Sequence, residues 1–456
     1  EFCLGTTNPV ATITGAAGGT FSATGGLTID ANTGEIDLST ATAGNYQLTY
    51  TPSISAIPGW QQIGQDIDGE AAGDNSGSSV SLSSDGNIIA IGAYGNDGNG
   101  VDAGHVRIFE NTGGTWSQIG QDIDGESSSM SGISVYLSSD GSKVAIGALG
   151  HVRIYENTGG NWSQIGQDID GEAANDNSGY SISLSSDGNI IAIGAYGNDG
   201  NGVDAGHVRI YENTGGTWSQ IGQDIDGEAA GDNSGYSLSL SSDGNIIAIG
   251  ASFNAGNGFQ AGHVRIFENS GGNWSQIGQD IDGEAANDNS GYSISLSSDG
   301  NIIAIGAYEN AGNGLGEGHV RFFENTGGNW SQIGQGISGE AHFDYSGYSI
   351  SLSSDGNKVA IGTPFNDGNG GDAGHVRIFE NSGVTWTQIG QDIDGEAAGD
   401  ESGFSVTLST DGSKVAVGAK GTDGLDAGYV RIFGSPASVC PKPLDITIHA
   451  APTIDL

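Results

Sequence analysis

A tryptophan returns along this chain at Trp60, Trp116, Trp162, Trp218, Trp274, Trp330 and Trp386, 56 residues apart at every step except the second, which is 46. An arginine recurs alongside it at Arg107, Arg153, Arg209, Arg265, Arg321, Arg377 and Arg431, in steps of 56 except the first (46) and the last (54), each inside "VRI" or "VRF". A fixed period of this length means a supersecondary unit that buries its apolar face only by stacking on its neighbours. Within each unit "YSISLSSD" and "HVRIYEN" alternate apolar and polar residues, "NIIAIGAY" is a short apolar run, and "WSQIGQDI" follows. Period-two alternation rich in β-branched and aromatic residues predicts strands, here four per unit. The joint "SSDGN" predicts a tight hairpin in which Asp-Gly supplies the positive φ angles of a two-residue turn. No segment carries a helix-length period of 3.6.

Four-stranded units repeated seven times either close into a β-propeller or run on as an open solenoid. The phase of the ends decides. The first unit contributes only its last strand, from Trp60, and the last unit stops after "YVRIF" at 429–433. The remainders complete one blade, so an N-terminal strand is expected to close the ring beside the last unit and leave no unpaired edge. The propeller is expected over 56–434. Residues 1–55, with "NPVATITG", "GLTIDANTGEIDLS" and "GNYQLTYT", and residues 435–456, with "CPKPLDITIHAAP", read as strands of a small sandwich formed by the two chain ends. The expected fold class is all-β: a seven-bladed propeller with four-stranded blades, plus that sandwich.

The order "SGYSISLSSDGN-IIAIGAY-…-GHVRIYEN" resembles the FG-GAP repeat of the integrin α-chain propeller, over about residues 60–433. "GY" or "GF" stands where that family has Phe-Gly. "GAY" stands where it has Gly-Ala-Pro, and "GTP" at 362–364 comes nearest to it. Calcium-binding members carry DxDxDG between strands 1 and 2. "SSDGN" is too short to wrap an ion that takes roughly six to eight oxygens. The flanks resemble Ig-like repeats of long surface adhesins of gliding Bacteroidetes, exported by the type IX secretion system. That resemblance implies a propeller inserted before the last Ig-like strand and a Cys3–Cys440 pairing, with two free thiols as the alternative. It also implies an extracellular, cell-surface location, and neighbouring Ig-like repeats of one longer chain as partners.

Charge narrows the partners. Acidic residues number 55 against 12 basic ones, for a net charge of −43. Nucleic acid and anionic membrane surfaces are excluded, because phosphate binding needs clustered Lys and Arg. No apolar run is long enough for membrane insertion. The acids recur in pairs within "DIDGE": Asp66 and Asp68, Asp122 and Asp124, Asp168 and Asp170, Asp224 and Asp226, Asp280 and Asp282, Asp392 and Asp394. Carboxylates two apart on a strand share a side. Asp97, Asn99 and Asp102 form a second oxygen-rich group. Such oxygens suit Ca²⁺, and turn capping by Asp is the competing reading. The copy "QGISGE", with Gly336 and Ser338, tests whether the pair is needed for the fold. His105, His151, His207, His263, His319 and His375 precede each "VR", with Tyr429 in the seventh place, and are read as structural. The arginines are expected to pair with carboxylates or stack on rings, and the tryptophans to fill the blade-to-blade core.

In a propeller the 2–3 and 4–1 loops share one face, and these are the long acidic loops. Recognition is sought where they break the repeat, at 252–260, 308–317, 341–345 and 363–372. Phe253, Phe259, His342, Phe343, Tyr345 and Phe365 add aromatic surface to an acidic rim, a combination suited to a glycan or a protein. Polar groups recur with the period, and no single-copy catalytic set stands out. The expected function is a non-enzymatic extracellular adhesion module. A structural spacer of a surface fibre is the alternative.

Overall fold

The computed structural model describes residues 2–3, 20–24, 26–51, 59–312, 314–383, 385–421, 426–436 and 444–449. Contacts divide the chain into two units, Gly59–Ser435 and the pair Glu1–Pro58 with Pro436–Leu456.

The larger unit is a seven-bladed β-propeller, and no helix forms among the described residues. Blade 1 comprises Ser76–Leu82, Ile88–Ala93, His105–Thr112, Thr115–Gln118 and Ile123–Asp124. Blades 2 to 6 repeat it. In blade 7, Ser402–Leu408, Lys414–Ala419 and Tyr429–Gly434 pair with Gln61–Gln62 and Ile67–Asp68 from the other end of the unit. The fourth strand of every blade is broken in two. In blade 1 the Trp piece pairs with the far half of the third strand and the Ile-Asp piece with its start. Between them, the Ile119 N–H donates to the Ile108 carbonyl at 2.7 Å.

The expected hairpin chemistry is exchanged between two turns. In "SSDGN" only the glycine has positive φ, as at Gly86 with 63°. Its N–H donates to Ser83 O at 2.9 Å, so the joint is a type I turn followed by a left-handed glycine. The Asp85 carboxylate is engaged locally, accepting from the Ser83 hydroxyl at 2.8 Å and the Asn87 N–H at 2.9 Å. The two-residue turn with both φ positive is found instead at "TGGT", where Gly215 (62°) and Gly216 (88°) join the paired Thr214 and Thr217. Both positions there need the left-handed region, which glycine enters without a Cβ penalty.

Neighbouring blades share cores. Val208 and Ile210 of blade 3 pack with Leu238, Leu240, Ile247, Ile249, Phe267 and Trp274 of blade 4. Bonds aimed at backbone carbonyls stitch each seam. Ser79, Ser134, Ser181, Ser237, Ser293, Ser349 and Ser405 each donate a hydroxyl to a glycine carbonyl of the next blade, at 2.6–2.8 Å. Trp116 donates its indole N–H to Ile63 O of the preceding blade at 2.8 Å, and Trp60 to Ile389 O at 2.9 Å. Trp386 departs from this pattern: its indole N–H is unpartnered and its ring stacks on Phe322 at 3.9 Å. Phe322 occupies the position of Ile108 and its counterparts. On the axis the first strands of all seven blades line a cavity of about 250 Å³, into which Tyr136 intrudes where other blades carry Ser or Thr.

In the smaller unit Leu444–His449 lies between Phe2–Cys3, parallel, and Gly44–Thr51, antiparallel, and Thr20–Ala23 completes the sheet. Leu27, Ile36, Leu38, Tyr46 and Leu48 form its core. Cys440, and with it the Cys3–Cys440 pairing, lies outside the described residues.

Candidate functional site

The long loops of the 2–3/4–1 face are held by their own polar side chains. In the long 2–3 loops of blades 1, 3, 4 and 6 an asparagine reaches a buried aspartate of the 4–1 loop entering the same blade. Asn198 Nδ2 donates to Asp176 at 2.9 Å, and Asn254 Nδ2 to Asp232 at 3.0 Å. These buried aspartates also cap backbone N–H groups, as Asp232 does for Ala229 at 3.0 Å. Asp97 accepts the Asp102 N–H at 2.8 Å, and the Asn99 amide donates to Gly125 O at 2.7 Å. The structure thus places Asp97, Asn99 and Asp102 in turn-forming contacts.

The two aspartates of each "DID" have different environments. The first is half-buried and accepts from a glutamine four residues earlier. Asp66 does so from Gln62, Asp122 from Gln118, Asp168 from Gln164, Asp224 from Gln220, Asp280 from Gln276 and Asp392 from Gln388, at 2.5–2.6 Å. The second, at Asp68, Asp124, Asp170, Asp226, Asp282 and Asp394, is exposed. Except at Asp124, its backbone carbonyl rather than its carboxylate is what the next blade uses. Arg107 donates to Asp68 O at 2.6 Å and Arg209 to Asp170 O at 2.8 Å. Arg377 makes the same bond to Ser338 O at 2.8 Å, so the copy lacking both aspartates builds the same seam. These arginines also lie over the aromatic ring two residues on, as Arg107 does over Phe109 at 5.5 Å.

Each histidine at a third-strand start except His319, whose blade carries Gly336 instead, sits beside the first aspartate of its own blade and the glutamate of the same motif in the preceding blade. Glu70, His105 and Asp122 gather with their ligating atoms within 4.8 Å, and so do three further trios. Burial, aided by the neighbouring Arg, holds these imidazoles below the ordinary histidine pKa. They are therefore neutral at pH 7.

The apolar side of the face is aromatic. Tyr180, Tyr236, Tyr292, Tyr348 and Phe404, one from each of blades 3 to 7, contact in sequence with ring centroids 5.0–5.1 Å apart. Tyr196, Tyr308, Phe253 and Phe365 pack behind them. Burial raises the phenol pKa values, that of Tyr348 to about 12. The sequence reading passed over these tyrosines; their signal is the repeated "GY" after each 4–1 loop.

Of the six candidate ligand residues, four come together. Phe343 lies 6.5 Å from His342 and 6.3 Å from Tyr345, and Tyr345 lies 5.5 Å from Phe365. Phe253 packs on Tyr236 instead, at 6.4 Å. Phe259 projects from the tip of the blade 4 loop, 68% exposed, in the place of Val101, Val203 and Leu315 in other blades. Phe343 (φ 64°) and Tyr345 (φ 54°) are both left-handed, at positions where blade 3 carries Asn175 and Asn177 and blade 5 carries Asn287 and Asn289.

Residues 67–109 match the family model of the FG-GAP repeat. The matched stretch runs from the last strand piece of blade 7 through the 4–1 loop to the third strand of blade 1. The other blades repeat its strand order around the ring. Comparison with curated proteins finds no match.

Proposed function

We propose that this FG-GAP-type propeller is a non-enzymatic recognition module of adhesion type, displayed outside the cell. Its contact surface is the aromatic patch of blades 5 and 6, and its ligand is a glycan or a protein. The observation that carries this reading is the strain at Phe343. A bulky residue in the left-handed region costs roughly 1–2 kcal/mol; Asn or Gly stands there in five sibling blades and the small Ser128 (φ 64°) in the sixth. Phe343 is nevertheless 55% exposed beside Leu315, itself 64% exposed, so burial returns little of that cost. Strain held at an exposed aromatic is the signature of a contact residue. We read the sheet formed by the chain ends as an Ig-like carrier domain, and Gln61–Gln62 with Ile67–Asp68 as the strand that closes the ring. Calcium remains a proposed accessory ion of the acidic loops.

Screening the purified chain against glycan arrays and matrix proteins, with calcium and with chelator, tests the proposal. Phe343→Asn should leave thermal stability unchanged or higher and abolish binding. Binding that survives both Phe343→Asn and Leu315→Ser would move the contact surface elsewhere. No binding by the parent chain under any condition would favour the spacer reading.

A further inference from the structure

Four of the seven blade seams carry a trio that nothing above uses: Glu70, His105 and Asp122; Glu172, His207 and Asp224; Glu228, His263 and Asp280; Glu340, His375 and Asp392. We infer that these trios are binding sites for a divalent transition-metal ion of the zinc class, each held by one imidazole and two carboxylates.

The histidine is the first reason. His105, His207, His263 and His375 are each only 2% exposed. Their rings make no hydrogen bond among the described residues, and Nε2 of His105, His207 and His375 is buried with no partner. Nδ1 faces the carboxylates without bonding either of them. It lies 4.0 Å from Glu70 in the first trio, 3.9 Å from Asp224 in the second and 4.0 Å from Glu228 in the third. A buried imidazole nitrogen without a partner costs free energy, and an ion between the carboxylates would engage Nδ1, the nitrogen that faces them. Two carboxylates and a neutral imidazole offer two negative charges and one nitrogen, the donor set of zinc, cobalt or nickel. Calcium is a poor fit, since it takes oxygen ligands.

The three other seams supply the second reason. In one of them an arginine takes both carboxylates, and in the other two a member of the trio is replaced. Arg153 donates to Glu126 at 2.6 Å and to Asp168 at 2.9 Å, setting its own positive charge between the two carboxylates. Where Gly336 replaces the aspartate, the His319 ring turns to Glu284 at 3.1 Å. Where Tyr429 replaces the histidine, its hydroxyl donates to Asp400 at 2.7 Å. Of the two histidines in these seams, His319, whose seam lacks the aspartate, turns to a carboxylate, whereas His151, whose carboxylates are taken by Arg153, has no ring hydrogen bond among the described residues. The Arg153 seam shows that the carboxylate pair accepts a cation. Arg107 also stands 3.8 Å from Glu70, leaving the other carboxylate oxygen of that glutamate for the ion.

The test is metal counting on the untagged chain after dialysis with chelator. About four zinc ions per chain are expected on titration against a chromophoric competitor. Co²⁺ should give visible d–d bands, and the melting temperature should rise with Zn²⁺ but not with equal Ca²⁺. His207→Gln and His263→Gln, each checked for an unchanged circular dichroism spectrum, should each remove one ion. Gly336→Asp should add a fifth once the His319 ring swings clear. A zinc count unchanged by either His→Gln variant, Co²⁺ without d–d bands, or calcium competing on equal terms would overturn the assignment. Failure here would leave the recognition proposal standing, since the two rest on different residues.

Discussion

Replacing Gly194 by Ala adds one methyl at the seam between blades 3 and 4. The new Cβ would fall well inside 3.0 Å of both the Gly235 carbonyl oxygen and the Ser181 hydroxyl. Those two atoms are hydrogen-bonded to each other at 2.7 Å. The methyl therefore forces the blades apart and breaks the stitch between them. Overpacking of a tight interior costs about 1–3 kcal/mol, and a lost hydrogen bond about 1 kcal/mol more. The expected loss is thus about 2–4 kcal/mol. Gly216→Ala is the control. Gly216 has φ +88° and open space within 4 Å of its Cβ position, so only backbone strain of roughly 1–2 kcal/mol applies. Thermal and urea unfolding of both variants would measure the difference. If Gly194→Ala proves no more harmful than Gly216→Ala, the seam does not depend on contact at that glycine and the packing argument fails.

Four further outcomes are expected. Arg209→Met removes the donor to the Asp170 carbonyl and the ring contact with Tyr211 at 5.6 Å; a loss of about 1–3 kcal/mol in denaturant unfolding would fit an orphaned backbone acceptor. Asp232→Ala strands the buried Asn254 amide and the Ala229 N–H, with a similar expected cost and faster proteolysis of the blade 4 loops. Phe343→Asn should separate binding from stability, as argued above. In chelator, stability should fall as pH drops below about 6.5, because burial depresses the pKa of all six repeated histidines, that of His375 to about 4. The sign follows from proton uptake: the unfolded chain binds protons in this window and the folded chain resists them. Asp344 and Asp394, whose pKa values are raised mainly by burial, oppose the trend only at its acid end. A melting temperature flat from pH 7.5 to 5 would refute the argument.

Blade number and strand order were legible because they rest on periodicity, which one chain displays without an alignment. The seam glycine was in view as the repeated "GA", yet its role was not, since the atom it meets belongs to the next blade. The same holds for the metal trios. The sequence groups Asp66, Asp68 and Glu70 by nearness, whereas the fold groups a histidine with a glutamate 35 residues upstream, as at His105 and Glu70. The tyrosine arc was missed for a related reason: Tyr180 and Tyr236 become neighbours only when ring closure brings the blade entrances to one axis. The turn at "SSDGN" was misassigned because flanking Ser83 and Asn87 make Asp85 a cap, a local effect that the Asp-Gly pair alone conceals.

The stitches also explain where this chain is free to vary. Ser181 bonds a glycine carbonyl, Trp116 an isoleucine carbonyl and Arg209 an aspartate carbonyl. In each case the acceptor is backbone, which every residue supplies. Asp can therefore become Ser338 without loss of the Arg377 bond, and side chains at the loop face can change while the ring stays closed. Donor positions lack that freedom, because the carbonyl waiting in the neighbouring blade has to find its donor there. A ring built this way conserves its inner donors and releases its outer loops. That is why a strained Phe343 can be carried on blades otherwise kept alike, and why recognition is best sought there rather than in the repeated strands.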